Sequence, residues 1–557
     1  MLNFENLLTQ DASGWHWQLP NHFNIAYACV RQHVEQGNGN TLAMIVEDQN
    51  LGTTELTYGE LDKASGQFNY LLKSLNVSER DRVLIRLPNA SSYPISFFGC
   101  LKHGAVAVPT STLLSAHEVA YLAKDSGAKV LVTDKSMWSE LSHILGKNDK
   151  LKTVLLAGDG AIPKTDASAN LEVIDLHEAL QNSPVDDSIV ATRPDDPAYL
   201  VYTSGTTGFP KGVLHGHRSL IGRIPASRYW FNFQSGDRIL HSGKFNWTYV
   251  LGSALMDPLF HGHTVIVHEG ANDANTWPRL IAKHQCTIFI GVPTIYRQII
   301  QKTKYTAKDV PSLRHCMSAG EHLSDEMLLA WRQRFAMDVY EAIGMSEFSY
   351  YISQHTGAEI RPGAAGFIQP GHKVALVDDN LNPVASGQEG MIAINIEDPG
   401  LFLHYWQLPQ ETRASRRSGY FLTGDYARQD EDGYIWFVGR KDDIINTFGY
   451  RVSPHEIERV VKTHPLVADC VALGDTIAKE KTIVSICVIL TKDAHLDEAS
   501  LLEFGNRHLA KYKAPKQVHF YQEFPRTKNG KVLRKQLLED LSNKREQLTQ
   551  SPTEAQA

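Results

Sequence analysis

One eleven-residue stretch, YTSGTTGFPKG from Tyr202 to Gly212, constrains this chain more than any other feature of its sequence. It follows the apolar run Ala198–Tyr202, which has the length and composition of a buried strand. A strand that leads into a turn rich in glycine, serine and threonine exposes backbone N–H groups and hydroxyls that can surround a polyphosphate, and Lys211 adds positive charge. Pro210 before the lysine and Gly212 after it exclude a Walker P-loop. The stretch predicts a phosphate-binding loop, with an ordinary polar loop as the alternative.

The composition limits the class of protein. A length of 557 residues predicts more than one domain, and a net charge of −7 gives no reason to expect nucleic acid or an anionic membrane as a partner. Six cysteines without metal-binding spacing predict buried, reduced thiols. The first twenty residues lack a basic segment followed by an apolar core, and no apolar run reaches membrane-spanning length. We therefore expect a cytoplasmic protein without a membrane span, and a homodimer stays open.

Helical and strand patterns alternate on both sides of the glycine-rich stretch. The capping-box pair Thr57 and Glu60 opens a predicted helix over 56–77. The other predicted helices are 93–103 and 118–126, and the predicted strands are 83–87, 105–108, 129–134, 238–240, 265–268, 287–291 and 315–319. Such alternation predicts an α/β fold of parallel sheets whose ligands bind at the carboxyl ends of the strands. Residues 1–25 are predicted to be irregular.

The texture of the sequence changes twice towards the C-terminus. Shorter strands over about 370–441 predict a β-rich subdomain. After Arg440, Ser453 and Glu456 form a helix-capping pattern, and two strands and a further helix follow. The predicted organisation is a large N-terminal domain over 1–441, a small mobile α+β domain over 442–542 and a disordered tail over 543–557.

Two further segments carry candidate chemistry. Ser346 and Glu347 follow a glycine turn in YEAIGMSE, where a hydroxyl beside a carboxylate suits a magnesium–phosphate site; a helix cap is the alternative. Asp425 ends Thr-Gly-Asp, and its carboxylate can accept both hydroxyls of a ribose; an Asx-type turn is the alternative.

Taken together, these segments resemble the adenylate-forming, AMP-binding superfamily, which includes acyl-CoA synthetases, luciferases and peptide-synthetase adenylation domains. Three more strings support the resemblance: GRKDDII from Gly439, GYRVSPHEIE from Gly449 and PRTKNGK from Pro525. The match covers roughly Phe23 to Leu538. Within the superfamily the chain looks most similar to the benzoate and medium-chain acyl-CoA ligases.

The resemblance assigns roles to individual residues. It implies Lys531, Lys211 and Glu347 as catalytic residues, Glu347 as the metal ligand and Asp442 as the hinge between the domains. It implies an acyl pocket of Trp247, Thr248, Tyr249 and Gly344, and coenzyme A contacts at Trp247, Gly449 and Tyr450. The implied ATP- and AMP-binding residues are Thr203, Ser204, Gly205, Thr206, Thr207, Gly208, Lys211, Ala319, Gly320, Glu321, Ala342, Ile343, Gly344, Ser346, Asp425 and Arg440.

Three positions depart from or refine the family pattern. Ile343 replaces the usual tyrosine that faces adenine, and Ser346 replaces a threonine. Gly344 stands where acetate-specific relatives carry a tryptophan that closes the pocket, so an acid larger than acetate is expected.

The resemblance implies an AMP-forming acid–CoA ligase that uses ATP, Mg²⁺ and coenzyme A. A carboxylic acid would attack ATP to give an acyl-adenylate and pyrophosphate, and coenzyme A would then take the acyl group and release AMP. Two alternatives stay open: an adenylation enzyme that loads a carrier protein, and a non-catalytic nucleotide-binding regulator on the same scaffold.

Overall fold

The computed structural model describes residues 6–145, 148, 150–163, 171–203, 210–320, 323–440, 443–447, 450–478, 481–509, 511, 513–526 and 532–550. The chain divides into two compact units. The first comprises residues 1–373 and 395–421, and the second comprises residues 374–394 and 422–557. The domain limits expected from the sequence, at 441 and 542, stay predictions.

The first unit contains an eight-stranded sheet that holds the glycine-rich stretch. The five strands from Val106–Pro109 to Glu172–Asp175 pair in parallel, and helices follow Arg82–Arg86, Val106–Pro109 and Val130–Asp134 and return the chain to the same edge. One edge is antiparallel, where the strands that flank the stretch pair with each other. In order across the sheet the strands are His404–Tyr405, Lys211–Gly216, Pro197–Thr203, Val106–Pro109, Arg82–Arg86, Val130–Asp134, Thr153–Ala157 and Glu172–Asp175.

A nine-stranded sheet in the same unit holds the other candidate segments. Six of its strands run parallel in the middle, and antiparallel pairs close both edges. In order the strands are Phe367–Ile368, Ser349–Ser353, Val339–Met345, His315–Ala319, Ile288–Ile290, Arg238–His241, Thr264–Glu269, Leu42–Asp48 and Thr53–Thr57. The parallel α/β architecture predicted from the alternating pattern is confirmed.

Amphipathic helices cover both sheets. Thr57 caps the helix Tyr58–Ser74 in a complete capping box with Glu60, as the sequence predicted. The other α-helices of the first unit are Ser92–His103, Ala116–Ser126, Lys135–Leu145, Leu176–Asn182, Ile224–Tyr229, Thr248–Leu251, Asp257–Phe260, Thr276–His284, Pro293–Lys302, Asp325–Phe335 and Pro409–Ala414. Short π-helical turns span Tyr27–Arg31, Val34–Asn38 and Gly252–Met256, and 3₁₀ turns span His217–Ser219, Ile221–Arg223 and Ala307–Asp309.

The N-terminal region differs from its prediction. Residues expected to be irregular form a β-hairpin of Leu8–Asp11 and Gly14–Trp17. The indole N–H of Trp17 donates to the carbonyl of Gly371 at 2.9 Å, a partner more than 350 residues away in sequence. That long-range bond has no signature in the local pattern.

The second unit contains an antiparallel sheet, a short hairpin and a three-stranded sheet. The antiparallel sheet consists of Val374–Val377, Glu389–Asn395, Tyr420–Gln429 and Ile435–Arg440. The two-residue strand Arg416–Arg417 belongs to the first unit, where it pairs with Tyr420 and Phe421. The hairpin is Ile445–Thr447 with Tyr450–Val452. The three-stranded sheet is Val467–Ala478, Lys481–Leu490 and Gln517–Phe520, and the helices are Pro454–Val461, Glu498–His508 and Arg534–Gln550.

The last helix corrects the predicted tail. Arg534–Gln550 continues through residue 543, where the sequence analysis placed the start of a disordered segment. The guanidinium of Arg545 pairs with Asp475 and also donates to the carbonyl of Thr476, so contacts within the unit hold a helix whose polar sequence gives a weak signal.

Two predictions from composition can be compared directly with the structure. Each of the six cysteines lies in the described part of the chain, is buried and is unbonded, as predicted. Among the described residues, every helix is too short or too polar to cross a bilayer.

Candidate active site

The strands on either side of the glycine-rich stretch form an antiparallel pair. Thr203 is the Cα partner of Lys211, and Tyr202 is the partner of Gly212. The segment between them, residues 204–209, lies outside the described residues. Lys211 is therefore fixed by sheet hydrogen bonds at one end of the predicted phosphate loop, directly opposite Thr203.

Gly212 is required by close packing. A Cβ atom at this position would lie 2.9 Å from Cβ of Trp406 and 3.0 Å from Cδ1 of Leu200. The absence of a side chain lets the segment around Trp406 lie against the strand that carries Lys211.

Lys211, Tyr405 and Glu347 form a cluster, which we call the charged cluster. The Lys211 ammonium lies 5.7 Å from the centroid of the Tyr405 ring, within the range of a cation–π contact. The Tyr405 hydroxyl donates to Oε1 of Glu347 at 2.8 Å. One phenol ring thus contacts both the cation predicted for phosphate and the carboxylate predicted for magnesium.

Sequence reasoning missed Tyr405. The residue lies in a two-residue edge strand within LFLHYW, which carries no motif. The register of that strand against its neighbour, with Tyr405 opposite Val213, brings the phenol to Lys211. Only a prediction of strand pairing could have found it.

His215 holds the turn that carries Ser346 and Glu347. Because a carbonyl can only accept, Nε2 of His215 carries the proton and donates to the carbonyl of Ser346 at 2.8 Å. Burial, reinforced by nearby Arg223 and Arg218, lowers the pKa of His215 to about 3, so the ring is neutral at physiological pH. The backbone N–H of Phe402 donates to the carbonyl of Glu347 at 2.8 Å. No local sequence pattern signals this role of His215.

Gly344 has a packing role that the sequence did not show. The register of Val339–Met345 against Ser349–Ser353 shifts between Ile343 and Gly344. A Cβ at Gly344 would lie 2.5 Å from the carbonyl oxygen of Ser349, so the neighbouring strand excludes a side chain here. Its assignment to the acyl pocket, and the adenine-side assignments of Ile343 and Ser346, stay predictions.

Small residues pair where one strand of the second sheet ends. Ala319 is the last residue of His315–Ala319, and its Cα partner is Ala342 in the neighbouring strand Val339–Met345. Gly320 follows with φ of 98°, a conformation that favours glycine, and a Cβ there would lie 3.5 Å from Cη2 of Trp247. The next residue of the turn, Glu321, lies outside the described residues. The predicted nucleotide residues Ala319 and Gly320 thus adjoin the predicted acyl-pocket residue Trp247.

The side chains around these alanines form what we call the aromatic face: Trp230, His241, Tyr249, Ala319, Ala342 and Tyr350. Trp247 occupies the N-cap position of the helix Thr248–Leu251, and its ring meets Tyr249 edge to face at 5.4 Å. Burial raises the pKa of Tyr249, which keeps the phenol protonated. The structure therefore brings the predicted residues Trp247, Thr248 and Tyr249 to the carboxyl end of the second sheet.

Asp425 and Arg440 are Cα partners in the second unit. Nε of Arg440 lies 3.5 Å from Oδ1 of Asp425, and the backbone N–H of Asp425 donates to the Thr423 hydroxyl at 3.1 Å. The arginine side chain is 44% exposed, whereas the carboxylate is largely buried. The structure pairs the two residues that the resemblance assigned to ribose; that assignment itself stays a prediction.

Several predicted residues lie outside the described part of the chain. They are Ser204, Gly205, Thr206, Thr207, Gly208, Glu321, Asp442, Gly449 and Lys531. The backbone of Tyr450 begins the hairpin strand Tyr450–Val452.

Comparisons with known families agree with this geometry. The family model described as AMP-binding enzyme matches residues 31–406, and the model of the AMP-binding enzyme C-terminal domain matches residues 456–531. The chain belongs to the AMP-binding enzyme family. The resemblance drawn from the sequence motifs is confirmed.

Relatives within the family share most of the chain. The 3-hydroxybenzoate–CoA/4-hydroxybenzoate–CoA ligase of Thauera aromatica is 31% identical over 514 residues, which cover 91% of this chain and 95% of that protein. The mitochondrial acyl-coenzyme A synthetase ACSM3 of Homo sapiens is 30% identical over 495 residues, 86% of this chain and 82% of that protein. The family match and these relatives identify the chain as an acyl- or aryl-CoA ligase.

A solved structure shares the fold. The anthranilate CoA ligase AuaEII in complex with anthranoyl-AMP matches with a TM-score of 0.83 at 27% identity, covering 95% of this chain and 99% of that one. A large α/β region followed by a small C-terminal domain is thus the architecture of this family member too.

Proposed function

We propose that this ligase activates a carboxylic acid larger than acetate, either aromatic, medium-chain or a substituted short-chain acid, and transfers it to coenzyme A with release of AMP. The charged cluster carries the proposal, because it places a cation and a carboxylate on one phenol ring beside the predicted phosphate loop. The hydroxybenzoate and anthranilate ligases named above support an acid of this size.

In the first half-reaction, a carboxylate oxygen of the acid attacks the α-phosphorus of ATP. The bond from that phosphorus to the bridging oxygen breaks, and pyrophosphate leaves with the electron pair. Negative charge builds up around the phosphorus, so the ammonium of Lys211 and the predicted Lys531 would stabilise the transition state. The aromatic face holds the acid away from water.

In the second half-reaction, the thiol sulfur of coenzyme A attacks the acyl carbon. The carbon–oxygen bond to the phosphate breaks, AMP leaves, and the thiol proton passes to solvent. We propose that the C-terminal domain turns about Asp442 between the two steps, so that Lys531 leaves the site and Gly449 and Tyr450 enter it. We also propose that Trp247 lies between the acyl and pantetheine sites. Proline at residue 442 would fix φ and block the exchange.

Glu347 fits a magnesium role. Mg²⁺ in nucleotide enzymes is usually held by one or two carboxylates together with substrate phosphates, so a dedicated cage is not needed. Among the described residues no group of three or more histidine, cysteine or acidic side chains could hold a metal. Glu347 would hold the ion, which would neutralise phosphate charge when bound.

The test is AMP release by the purified protein with MgATP, coenzyme A and a panel of acids: acetate, hexanoate, benzoate and malonate. We expect AMP with hexanoate or benzoate, much less with acetate, and pyrophosphate without AMP release when coenzyme A is omitted. Turnover that requires a phosphopantetheine carrier protein instead of coenzyme A would favour the carrier-loading alternative.

The half-reactions can be separated with one variant. Lys531→Ala should abolish most pyrophosphate release from acid and ATP, yet still convert a supplied acyl-adenylate to acyl-CoA. Equal loss of both steps in a protein that melts like the wild type would contradict the role of Lys531.

We also propose a cytoplasmic location, since six buried unbonded thiols suit a reducing compartment. The homologue ACSM3 is mitochondrial by name, so fractionation of source cells is the deciding measurement. A homodimer would be tested by light scattering during size-exclusion chromatography, and nucleic acid is not expected to bind.

A further inference from the structure

Two polar atoms on the aromatic face have no hydrogen-bond partner among the described residues. They are Nε2 of His241 and Oη of Tyr249, and both atoms are buried. The His241 side chain is buried, at 1% exposure of the residue, and its ring lies 5.1 Å from the Tyr249 ring in an edge-to-face contact. The two unpartnered atoms therefore belong to touching side chains.

The protonation of both groups follows from their surroundings. The backbone N–H of Gly243 donates to Nδ1 of His241 at 2.9 Å, which places the proton of the neutral ring on Nε2. Burial lowers the pKa of His241 to about 3, so the ring stays neutral. Nε2 is a donor only, whereas the Tyr249 hydroxyl can both donate and accept.

Their place in the sheet makes a purely structural role a poor explanation. His241 is the last residue of Arg238–His241, beside Ile290 in the next strand, at the carboxyl end where such sheets bind ligands. Trp247, whose ring contacts that of Tyr249, also adjoins Gly320. Buried donors without partners destabilise a folded protein, and here two of them touch at the sheet edge where ligands bind, which favours a ligand as their partner.

Resting on the proposed function, we propose that His241 and Tyr249 recognise an oxygen substituent, a hydroxyl or keto group, on the carbon skeleton of the acid. A hydroxyl would accept from Nε2 of His241 and donate to Oη of Tyr249, and a keto oxygen would accept from both. A methyl group in the same place leaves both buried atoms unpartnered. Sites that hydrogen-bond a substrate oxygen reject analogues that lack it far more strongly than apolar pockets reject a size change.

The experiment compares acids matched in shape. The three hydroxybenzoates are paired with the three toluates, and 4-oxopentanoate is paired with 4-methylpentanoate. For each, kcat/KM is measured by AMP release in the wild type and in Tyr249→Phe, which removes only the hydroxyl. His241→Asn is the second variant, since its amide oxygen can still accept from Gly243 while the Nε2 donor is lost. Tyr340→Phe removes a hydroxyl elsewhere on the same sheet and is the matched control.

We expect the best oxygen-bearing acid to exceed its methyl partner by about tenfold or more in the wild type and in Tyr340→Phe. Tyr249→Phe and His241→Asn should each bring that ratio towards one. A wild-type ratio at or below one for every pair would overturn the inference while leaving the ligase proposal intact. This outcome is measured on the wild type alone, so it does not depend on whether a variant folds. A wild-type preference that survives in both variants would also overturn it. Absence of AMP with every acid would instead refute the proposed function, and this inference with it.

Discussion

The charged cluster and the aromatic face differ in how they are built. The cluster joins Lys211 and Tyr405 of one sheet to Glu347, which lies on the turn between two strands of the other sheet, and hydrogen bonds between these segments hold it. The aromatic face belongs to one sheet, the helix after Arg238–His241 and Trp230 at the end of Ile224–Tyr229, and it presents two buried atoms that have no partner in the described part of the chain. A site whose side chains are held in place by contacts with each other suits the reaction at the phosphates of ATP, which is the same for every acid. A site with unpartnered donors suits the part that selects the acid.

The largest expected effect comes from Glu347→Ala. Losing a charge-assisted contact typically costs about 1.5–3 kcal/mol, so pyrophosphate release should fall by up to about a hundredfold. The fall should be the same for every acid, because Glu347 lies in the charged cluster. Glu397→Ala, which removes an exposed carboxylate, is the control. If Glu347→Ala changed the ranking of acids instead, the charged cluster would also take part in selecting the acid, which contradicts the difference proposed between the two regions.

Acidification should destabilise the protein through two buried histidines, His215 next to the charged cluster and His241 on the aromatic face. His215 and His241 each have a pKa lowered to about 3 by burial. Between pH 3 and 6.5 the unfolded chain binds more protons than the native one, so stability falls as pH drops below 6.5. From pH 7 to pH 5 each ring should account for about 2 kcal/mol.

The measurement is denaturant unfolding at pH 7 and pH 5. His241→Asn has no titratable group at that position, so it should lose about 2 kcal/mol less stability than the wild type over this interval. An identical loss in the two proteins would mean that His241 is charged in the native state.

Gly344→Ala distinguishes packing from pocket lining. The new Cβ would meet the Ser349 carbonyl oxygen at 2.5 Å, and overpacking by one methyl group should destabilise the fold by about 1.5 kcal/mol. The ranking of acids should not change. Gly39→Ala, whose Cβ meets its nearest atom at 3.7 Å, should melt close to the wild type. A changed ranking of acids with an unchanged melting temperature would instead support the predicted place of Gly344 in the acyl pocket.

The smallest expected effect is that of Tyr405→Phe. The ring still faces the Lys211 ammonium, but the hydrogen bond to Glu347 is lost, which should cost about 1 kcal/mol, or about fivefold in kcat/KM for ATP. Tyr405→Leu also removes the ring and should lose more. If Tyr405→Phe altered acid preference without affecting ATP, the phenol would belong functionally to the aromatic face.

Some features of this protein could be read from the sequence alone. Thr57 and Glu60 specified a helix start, and apolar runs such as 129–134 specified buried strands, because caps and periodicity depend on neighbours within a few residues. Glycine-rich and acidic strings at Tyr202 and Tyr340 likewise identified Lys211 and Glu347 as candidates, and the family that they suggested is confirmed. These signals depend only on residues close together in the sequence, so they can be recognised without the structure.

The tertiary structure alone decided the rest. His215 reaches Ser346 across 131 residues, and Tyr405 reaches Glu347 across 58, through strand pairings that no short pattern encodes. The packing role of Gly344 depends on a register shift against the next strand. The polar atoms of His241 and Tyr249 that lack partners among the described residues become buried only when the sheet and the helix pack together. A local pattern can nominate a residue for chemistry, but hydrogen bonding and burial depend on atoms that long-range folding brings together.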